Sequence, residues 1–176
     1  MENKYVKDSK TIMTELVLPN DTNPLNNLRG GKLLHWMDIA AAISCQRHSG
    51  HAVVTVSVDN VIFKAPIKVG DIVTIHAYVS RAFTTSMEAR IEVWGENIPN
   101  KRKYKCNEAY YTFVALDGYG NKTSVDPIIP ETEKEKKLFE SAIRRRELRM
   151  LMAGRIKPND ATNLKALFEK PDDNQV

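Results

Sequence analysis

The sequence predicts an α+β fold in which a curved antiparallel sheet wraps one long, buried central helix. Three observations carry that expectation. Between Leu33 and Cys45 only His35, Asp38 and Ser44 are polar, so the stretch is apolar on nearly every face, as a helix enclosed by its own domain must be. After it, a period of two recurs in four segments between Val54 and Ala115, the pattern of strands with one face turned inward. Nothing else in the chain is apolar enough to bury the helix, so the sheet itself has to curl around it.

The elements follow in order. Ile12 to Leu18 reads as a short strand, closed by Pro19-Asn20-Asp21 and followed by the turn-rich segment Thr22 to Arg29. The apolar helix comes next and is too short and too interrupted to span a bilayer. Val54, Val56 and Val58 then alternate with Thr55, Ser57 and Asp59, and the run continues through Ile62-Phe63 to a break at Pro66. Three more alternating runs hold Val73, Ile75, Ala77 and Val79, then Met87, Ala89, Ile91 and Val93, then Ala109, Tyr111, Phe113 and Ala115. Gly70-Asp71, Ala82 to Thr85, Asn97 to Lys103 and Asp117-Gly118 separate them, so consecutive antiparallel strands are the economical arrangement.

Beyond Pro130 the chain changes character. Glu131 to Met152 is helical by composition, with Thr132 and Glu135 at capping-box spacing and a stripe of Leu138, Phe139, Ala142 and Ile143. Lys157 to Val176 holds one helical turn around Leu164 to Phe168 and ends in Pro-Asp-Asp-Asn-Gln, a tail expected to be mobile or docked by a partner. The division expected is therefore a domain over 1–130 and a C-terminal helical extension over 131–176.

The bulk numbers bound the possibilities. A chain of 176 residues, 42% hydrophobic and 27% charged, fills one core. The first dozen residues contain lysines with no apolar run behind them, so a soluble, cytoplasmic protein with no membrane insertion is expected. Cys45 and Cys106 lack ligand spacing, which argues for buried thiols and no metal site. The net charge of +4 concentrates in Lys101-Arg102-Lys103 and Arg144-Arg145-Arg146 with Arg149. Such runs are as a rule solvated faces, and the sharper reading is contact with an anionic ligand such as a polyphosphate. No nucleophile elbow, P-loop or Rossmann glycine pattern follows a strand.

Two features carry chemistry. Gly30-Gly31 stands where the turn becomes the helix, which allows close backbone approach and leaves the first amides free to donate toward negative charge. The plain alternative is a tight turn that lets helix and strand pack. Asp38 puts a carboxylate among Trp36, Met37, Ile39 and Ala40-Ala41-Ala42, where an unpaired charge is expensive. It is either tied to a polar neighbour or serves as a base or nucleophile in a partly dry pocket. His35, three residues before it, is a possible partner, though such a histidine is more often a rim residue.

Asp38 lies seven residues beyond Gly31, about 10 Å along a helix at about 1.5 Å per residue. One helix therefore cannot place both groups around a single reacting centre. Two antiparallel helices in a dimer can, with the Gly30-Gly31 end of one chain facing Asp38 of the other.

Asn26-Asn27-Leu28-Arg29-Gly30-Gly31, followed by Leu33-Leu34-His35-Trp36-Met37-Asp38, closely resembles the active-site region of hotdog-fold acyl-CoA thioesterases, the group of brain-type acyl-CoA hydrolase and its bacterial relatives. Val53-Val54-Thr55-Val56, Phe63-Lys64-Ala65-Pro66, Val69-Gly70-Asp71, Ser86-Met87-Glu88 and Val93-Trp94-Gly95-Glu96-Asn97 are similar to that family's strands, so the likeness runs from about Thr11 to Leu116.

The resemblance implies a helix wrapped by an antiparallel sheet, paired into a double hotdog and assembled further as a trimer of dimers. It implies hydrolysis of acyl-CoA to coenzyme A and a fatty acid, with no cofactor beyond the coenzyme A of the substrate. Asp38 would activate water or attack directly, Asn27 would hold the water or the carbonyl oxygen, and the Gly31 amide would stabilise the oxyanion. Gly30 and Thr55 would contact substrate, and Lys64, Arg81, Ser86 or the Lys101-Arg102-Lys103 loop would meet the coenzyme A phosphates. Arg29 stands where relatives often carry an apolar, aromatic or histidine residue, and the arginine-rich helix after Pro130 has no clear counterpart in the shorter members.

The rival reading is a non-catalytic acyl-CoA-binding sensor module. Such sensors usually carry a DNA-binding element, and the residues ahead of the first strand cannot form a helix-turn-helix, so no nucleic-acid partner is expected. The retained carboxylate favours catalysis. A lyase acting on acyl thioesters is a more distant third.

Overall fold

A computed structural model describes residues 4–59 and 61–168. The strands are β1 (Thr11–Leu16), β2 (Ala52–Val58), β3 (Ile72–Ala82), β4 (Ser86–Asn97) and β5 (Arg102–Leu116), and the helices are α1 (Gly30–Ser49), α2 (Glu133–Met152) and the single turn α3 (Thr162–Lys165). The five strands form one antiparallel sheet in the order β1-β3-β4-β5-β2.

The period of two decides the core. Val73, Ile75, Ala77 and Val79 of β3, and Met87, Ala89, Ile91 and Val93 of β4, are all buried. So are Ala109, Tyr111, Phe113 and Ala115 of β5. Leu33, Trp36, Met37, Ala40, Ala41 and Cys45 of α1 are buried with them, and α1 meets β3 more than any other strand. Ala40 and Ala41 leave room for the sheet to approach the helix axis. Each enclosed large side chain contributes about 1.5–3 kcal/mol. The helix stops at Gly50, whose φ of 71° is left-handed, the conformation that glycine adopts without a Cβ penalty.

Three strands differ from their sequence outlines. β1 stops at Leu16: Val17 still donates to the Asp71 carbonyl (3.0 Å), but the Asp71 amide turns to the Lys68 carbonyl (3.1 Å) and the ladder ends. β2 ends at Val58 and does not run to Pro66; a register shift lies between Thr55 and Ser57, and pairing with β5 resumes for Ser57 and Val58 before the ladder ends. β5 begins at Arg102, seven residues before its apolar alternation, because Arg102 to Lys105 pair with Trp94 to Asn97 of β4.

The chain divides into two compact units, Met1–Glu131 and Thr132–Val176. In the first, the Lys4 ammonium donates to the His48 carbonyl (2.9 Å) and pairs with Asp126 (2.9 Å), while His48 Nε2 lies 2.9 Å from the Asp126 carbonyl. In the second, the Thr132 hydroxyl accepts from the Glu135 amide (3.2 Å) and the Glu135 carboxylate accepts from the Thr132 amide (2.9 Å). This capping box starts α2. Glu147 of α2 accepts from the Asn163 side chain (2.6 Å) and the Leu164 amide (2.7 Å), which ties α3 to it. The Pro-Asp-Asp-Asn-Gln tail lies outside the described residues. Among the described residues no helix is long and apolar enough to cross a membrane.

Candidate active site

The loop before α1 is built by asparagines. Asn23 Oδ1 accepts from the amides of Leu25 (3.0 Å) and Asn27 (3.2 Å), and the Asn23 amide donates to the Asn27 carbonyl (2.8 Å). Asn26 takes a left-handed φ of 55° to close the turn, which asparagine tolerates better than most residues. The Leu28 amide donates to Ile67 (2.7 Å) and the Val69 amide to Asn26 (3.0 Å), so the loop is laced to the segment ahead of β3. Arg29, the unusual residue of this stretch, donates through its guanidinium to the Asn20 carbonyl (2.6 Å) and through its amide to Asp21 (3.0 Å). It braces the turn.

Arg29 is also the N-cap of α1 and offers no side-chain acceptor to the helix. The Gly30 and Gly31 amides donate to nothing among the described residues, and they carry the positive end of a 20-residue helix. The two glycines differ in their surroundings. A Cβ on Gly30 would stand 3.2 Å from the tip of the Phe63 ring, whereas one on Gly31 would meet nothing within 4 Å. Gly30 lets Phe63 pack over the helix start, and Gly31 faces open space.

Asn27, Leu28, Gly30, Leu33, Phe63 and Lys64 line a cleft of about 340 Å³ beside that start. Asn27 Oδ1 is buried with no hydrogen-bond partner among the described residues. The far wall, up to Ile67, is anchored by the buried Asp71, which accepts from the Lys68 amide (3.0 Å), Asn97 Nδ2 (2.6 Å) and the Tyr104 hydroxyl (3.0 Å). Burial first, and then the hydrogen bond to Asp71, push the Tyr104 hydroxyl well above the usual tyrosine range. Gly95 is obligatory here, since a Cβ would come within 2.8 Å of the Tyr104 ring and 2.9 Å of Cys106 Sγ.

Asp38 sits on the same unbroken helix as Gly31, which keeps the two about 10 Å apart. Its Oδ1 accepts from the Thr55 hydroxyl of β2 at 2.7 Å. Thr55, read from sequence as a substrate contact, is the partner that the carboxylate needed. His35 is exposed, and no hydrogen bond joins it to Asp38. The buried Tyr111 hydroxyl, which sequence reading assigned only to the core, has no hydrogen-bond partner among the described residues and is pushed up to about 12, by burial first and by the Asp38 charge second.

Lys64 is the one proposed phosphate contact that lines this cleft. Arg81 and Ser86 lie instead at the β3–β4 hairpin, the opposite end of β3 from Asp71 and the helix start. The Arg81 guanidinium stacks over Phe83, 5.6 Å from the ring centroid. Lys101, Arg102 and Lys103 are exposed at the β4–β5 turn.

A family profile described as Thioesterase superfamily matches residues 25–100, a span that includes the helix start, Asp38 and Thr55. The acyl-CoA thioester hydrolase YkhA of Bacillus subtilis, whose name marks it as uncharacterized, is 39% identical over 144 residues, 82% of this chain and 84% of that protein. The chain belongs to the hotdog-fold acyl-CoA thioesterase family. Among solved structures of this family, an apo-hexameric acyl-CoA thioesterase superposes with a TM-score of 0.84 at 38% identity, covering 87% of this chain and 98% of that one. The acyl-CoA hydrolase of Staphylococcus aureus, solved with butyryl coenzyme A, coenzyme A and coenzyme A disulfide, superposes at 0.81 with 34% identity over 96% of this chain and 100% of that one. That hydrolase has also been solved with an asparagine, an aspartate or a threonine replaced by alanine; the first two stand fifteen positions apart and the last two seventeen.

Proposed function

We propose that this family member hydrolyses acyl-CoA thioesters, with Asp38 as general base and the Gly31 amide of a second copy as oxyanion donor. One observation carries the reading. The carboxylate in an otherwise apolar helix is held through one oxygen by Thr55, which leaves the other without a partner among the described residues. Water attacks the thioester carbonyl carbon while Asp38 takes its proton, the carbonyl oxygen becomes an oxyanion, and collapse expels the coenzyme A thiolate. A preorganised amide at that oxygen is worth roughly 2.7–4 kcal/mol.

The 20-residue α1 carries both groups on one chain, so a composite site of two chains follows from its rise. β2 is an edge strand, with Val54, Val56 and Val58 left 43%, 55% and 49% exposed. Val54 and Val56 flank Thr55 and supply an apolar surface for a second copy. The hexameric relative supports assembly beyond a pair. Lys64 meets coenzyme A phosphate from the cleft, and Arg81 and Ser86 do so from another chain.

Two asparagines compete for the polar role at the carbonyl. Asn27, with its buried unpaired Oδ1, faces the cleft. Asn23 stands fifteen positions before Asp38, and Thr55 seventeen after it, the same separations as in the Staphylococcus hydrolase variants. Spacing therefore favours Asn23 for the contact with water or carbonyl, with Asn27 holding the loop.

Release of free thiol from acyl-CoA by the purified chain tests the reading. Asp38→Ala is expected to lower turnover by about a hundredfold or more, and the larger loss of Asn23→Ala or Asn27→Ala identifies the working asparagine. Wild-type rates in Asp38→Ala would end this assignment.

A further inference from the structure

Phe63 is the side chain of the cleft to which the reading above gives no task. The chain around it is fixed in place. The Asp59 amide donates to the Tyr110 carbonyl (2.9 Å), the Lys64 amide to the Cys106 carbonyl (3.2 Å), and the Pro66 carbonyl accepts from the Tyr104 hydroxyl (3.2 Å). The ring is aimed end-on at the helix start. Its tip stands 3.2 Å from where a Gly30 Cβ would be, and the two ring carbons beside the tip 3.6 and 3.7 Å, so no side chain fits between ring and helix. Phe63 is nonetheless 50% exposed and lines the cleft, where a ligand can reach it.

The first turn of α1 therefore offers a ligand one filled flank, at Gly30, and one open flank, at Gly31, beside which nothing stands within 4 Å. A carbonyl oxygen bound by the Gly31 amide lies about 3 Å from that nitrogen. The carbon attached to the carbonyl follows it into the layer of the ring tip. Apart from Asn27 and Lys64 the lining of the cleft is apolar, with Leu28, Leu33 and Ile67 beside Phe63. Such walls suit hydrocarbon, whereas the amides of the coenzyme A arm would lose their hydrogen bonds against them.

We propose that Phe63 determines specificity for the acyl group by rejecting a branch on the carbon next to the thioester carbonyl, so that the substrates are straight-chain acyl-CoAs. A straight chain needs only the open flank beside Gly31. A second substituent on that carbon has to enter the flank that Phe63 fills. This rests on the Gly31 amide as oxyanion donor, and it adds which flank of the carbonyl is closed.

Butyryl-CoA and isobutyryl-CoA contain the same atoms and differ in that branch, so the ratio of their kcat/KM values for thiol release reads it directly. One methyl group against a closed apolar wall is worth about tenfold or more. The wild type should favour butyryl-CoA by at least that factor. Phe63→Ala should cut the ratio by about tenfold, through a higher kcat/KM for isobutyryl-CoA, and Phe63→Leu, which keeps more of the packing, should fall between the two. Gly30→Ala sets a methyl against the ring and forces it to shift, so it should change the ratio in the wild type and leave it unchanged in Phe63→Ala. Equal rates on the two isomers in the wild type, the wild-type ratio in both Phe63 variants, or an equal change by Gly30→Ala in both backgrounds would each overturn the inference and leave the hydrolytic reading standing. No thiol release from either isomer by the wild type would remove that reading, and this inference with it.

Discussion

Single residues in this protein are set by what burial leaves them to bond with. Asp38 escapes the cost of a lone charge because Thr55 reaches it. His48 is the counterpart at the other end of α1: it is 3% exposed, and burial lowers its pKa from the ordinary 6.5. The folded state thus holds the neutral imidazole, and the unfolded chain takes up a proton first as pH falls. The stability that His48 contributes is complete above pH 6.5 and is lost as pH drops through the folded value, at no more than about 1.4 kcal/mol per pH unit. Thermal melts should show a Tm level between pH 7 and 8 and falling below 6.5, with a flatter profile in His48→Gln. Asp38 stood out in the sequence because a carboxylate in an apolar helix demands an explanation. Phe63 did not, because an aromatic residue in an apolar run reads as strand, and its place over Gly30 is visible only once its neighbours are known.

Elements place these residues, and β2 is the one whose two faces do different work. Its Thr55 meets Asp38, while Val54 and Val56 on either side stay exposed, to be covered. In a two-fold pairing every changed residue appears twice, so Val56→Glu loses the burial of two valines, roughly 1.5 kcal/mol or more each, and buries two charges. Sedimentation should show the variant dissociating at concentrations where the wild type stays associated, with hydrolysis falling in parallel. The alternation of this strand was legible in sequence; its end was not, since Ile62 and Phe63 prolong the apolar run past Val58, where the pairing with β5 stops. The first half of β5 was hidden for the opposite reason. Arg102, Lys103 and Lys105 carry no apolar signal and become strand by pairing with β4, which also brings Tyr104 to Asp71 and fixes the cleft wall.

In the whole molecule the length of α1 keeps Gly31 and Asp38 of one chain apart. Inactive Asp38→Ala chains mixed with chains inactivated at the working asparagine should regain part of the wild-type rate on subunit exchange, because a hybrid dimer holds one intact composite site. Exchange proven by mass without any recovery would count against a site shared between chains. The sequence by itself determined the buried helix, the glycine pair at its start, the single carboxylate within it and the spacing that separates the two. These are local quantities, because the i to i−4 hydrogen bonds of a helix set its rise whatever surrounds it. The tertiary structure alone decided that Thr55 meets the carboxylate, that Lys64 lines the cleft and Arg81 does not, and that Phe63 covers Gly30. Those placements depend on strand register and on where the helix crosses the sheet. Both are set by pairing between residues far apart in the chain, and a one-residue slip would turn every such side chain to the other face.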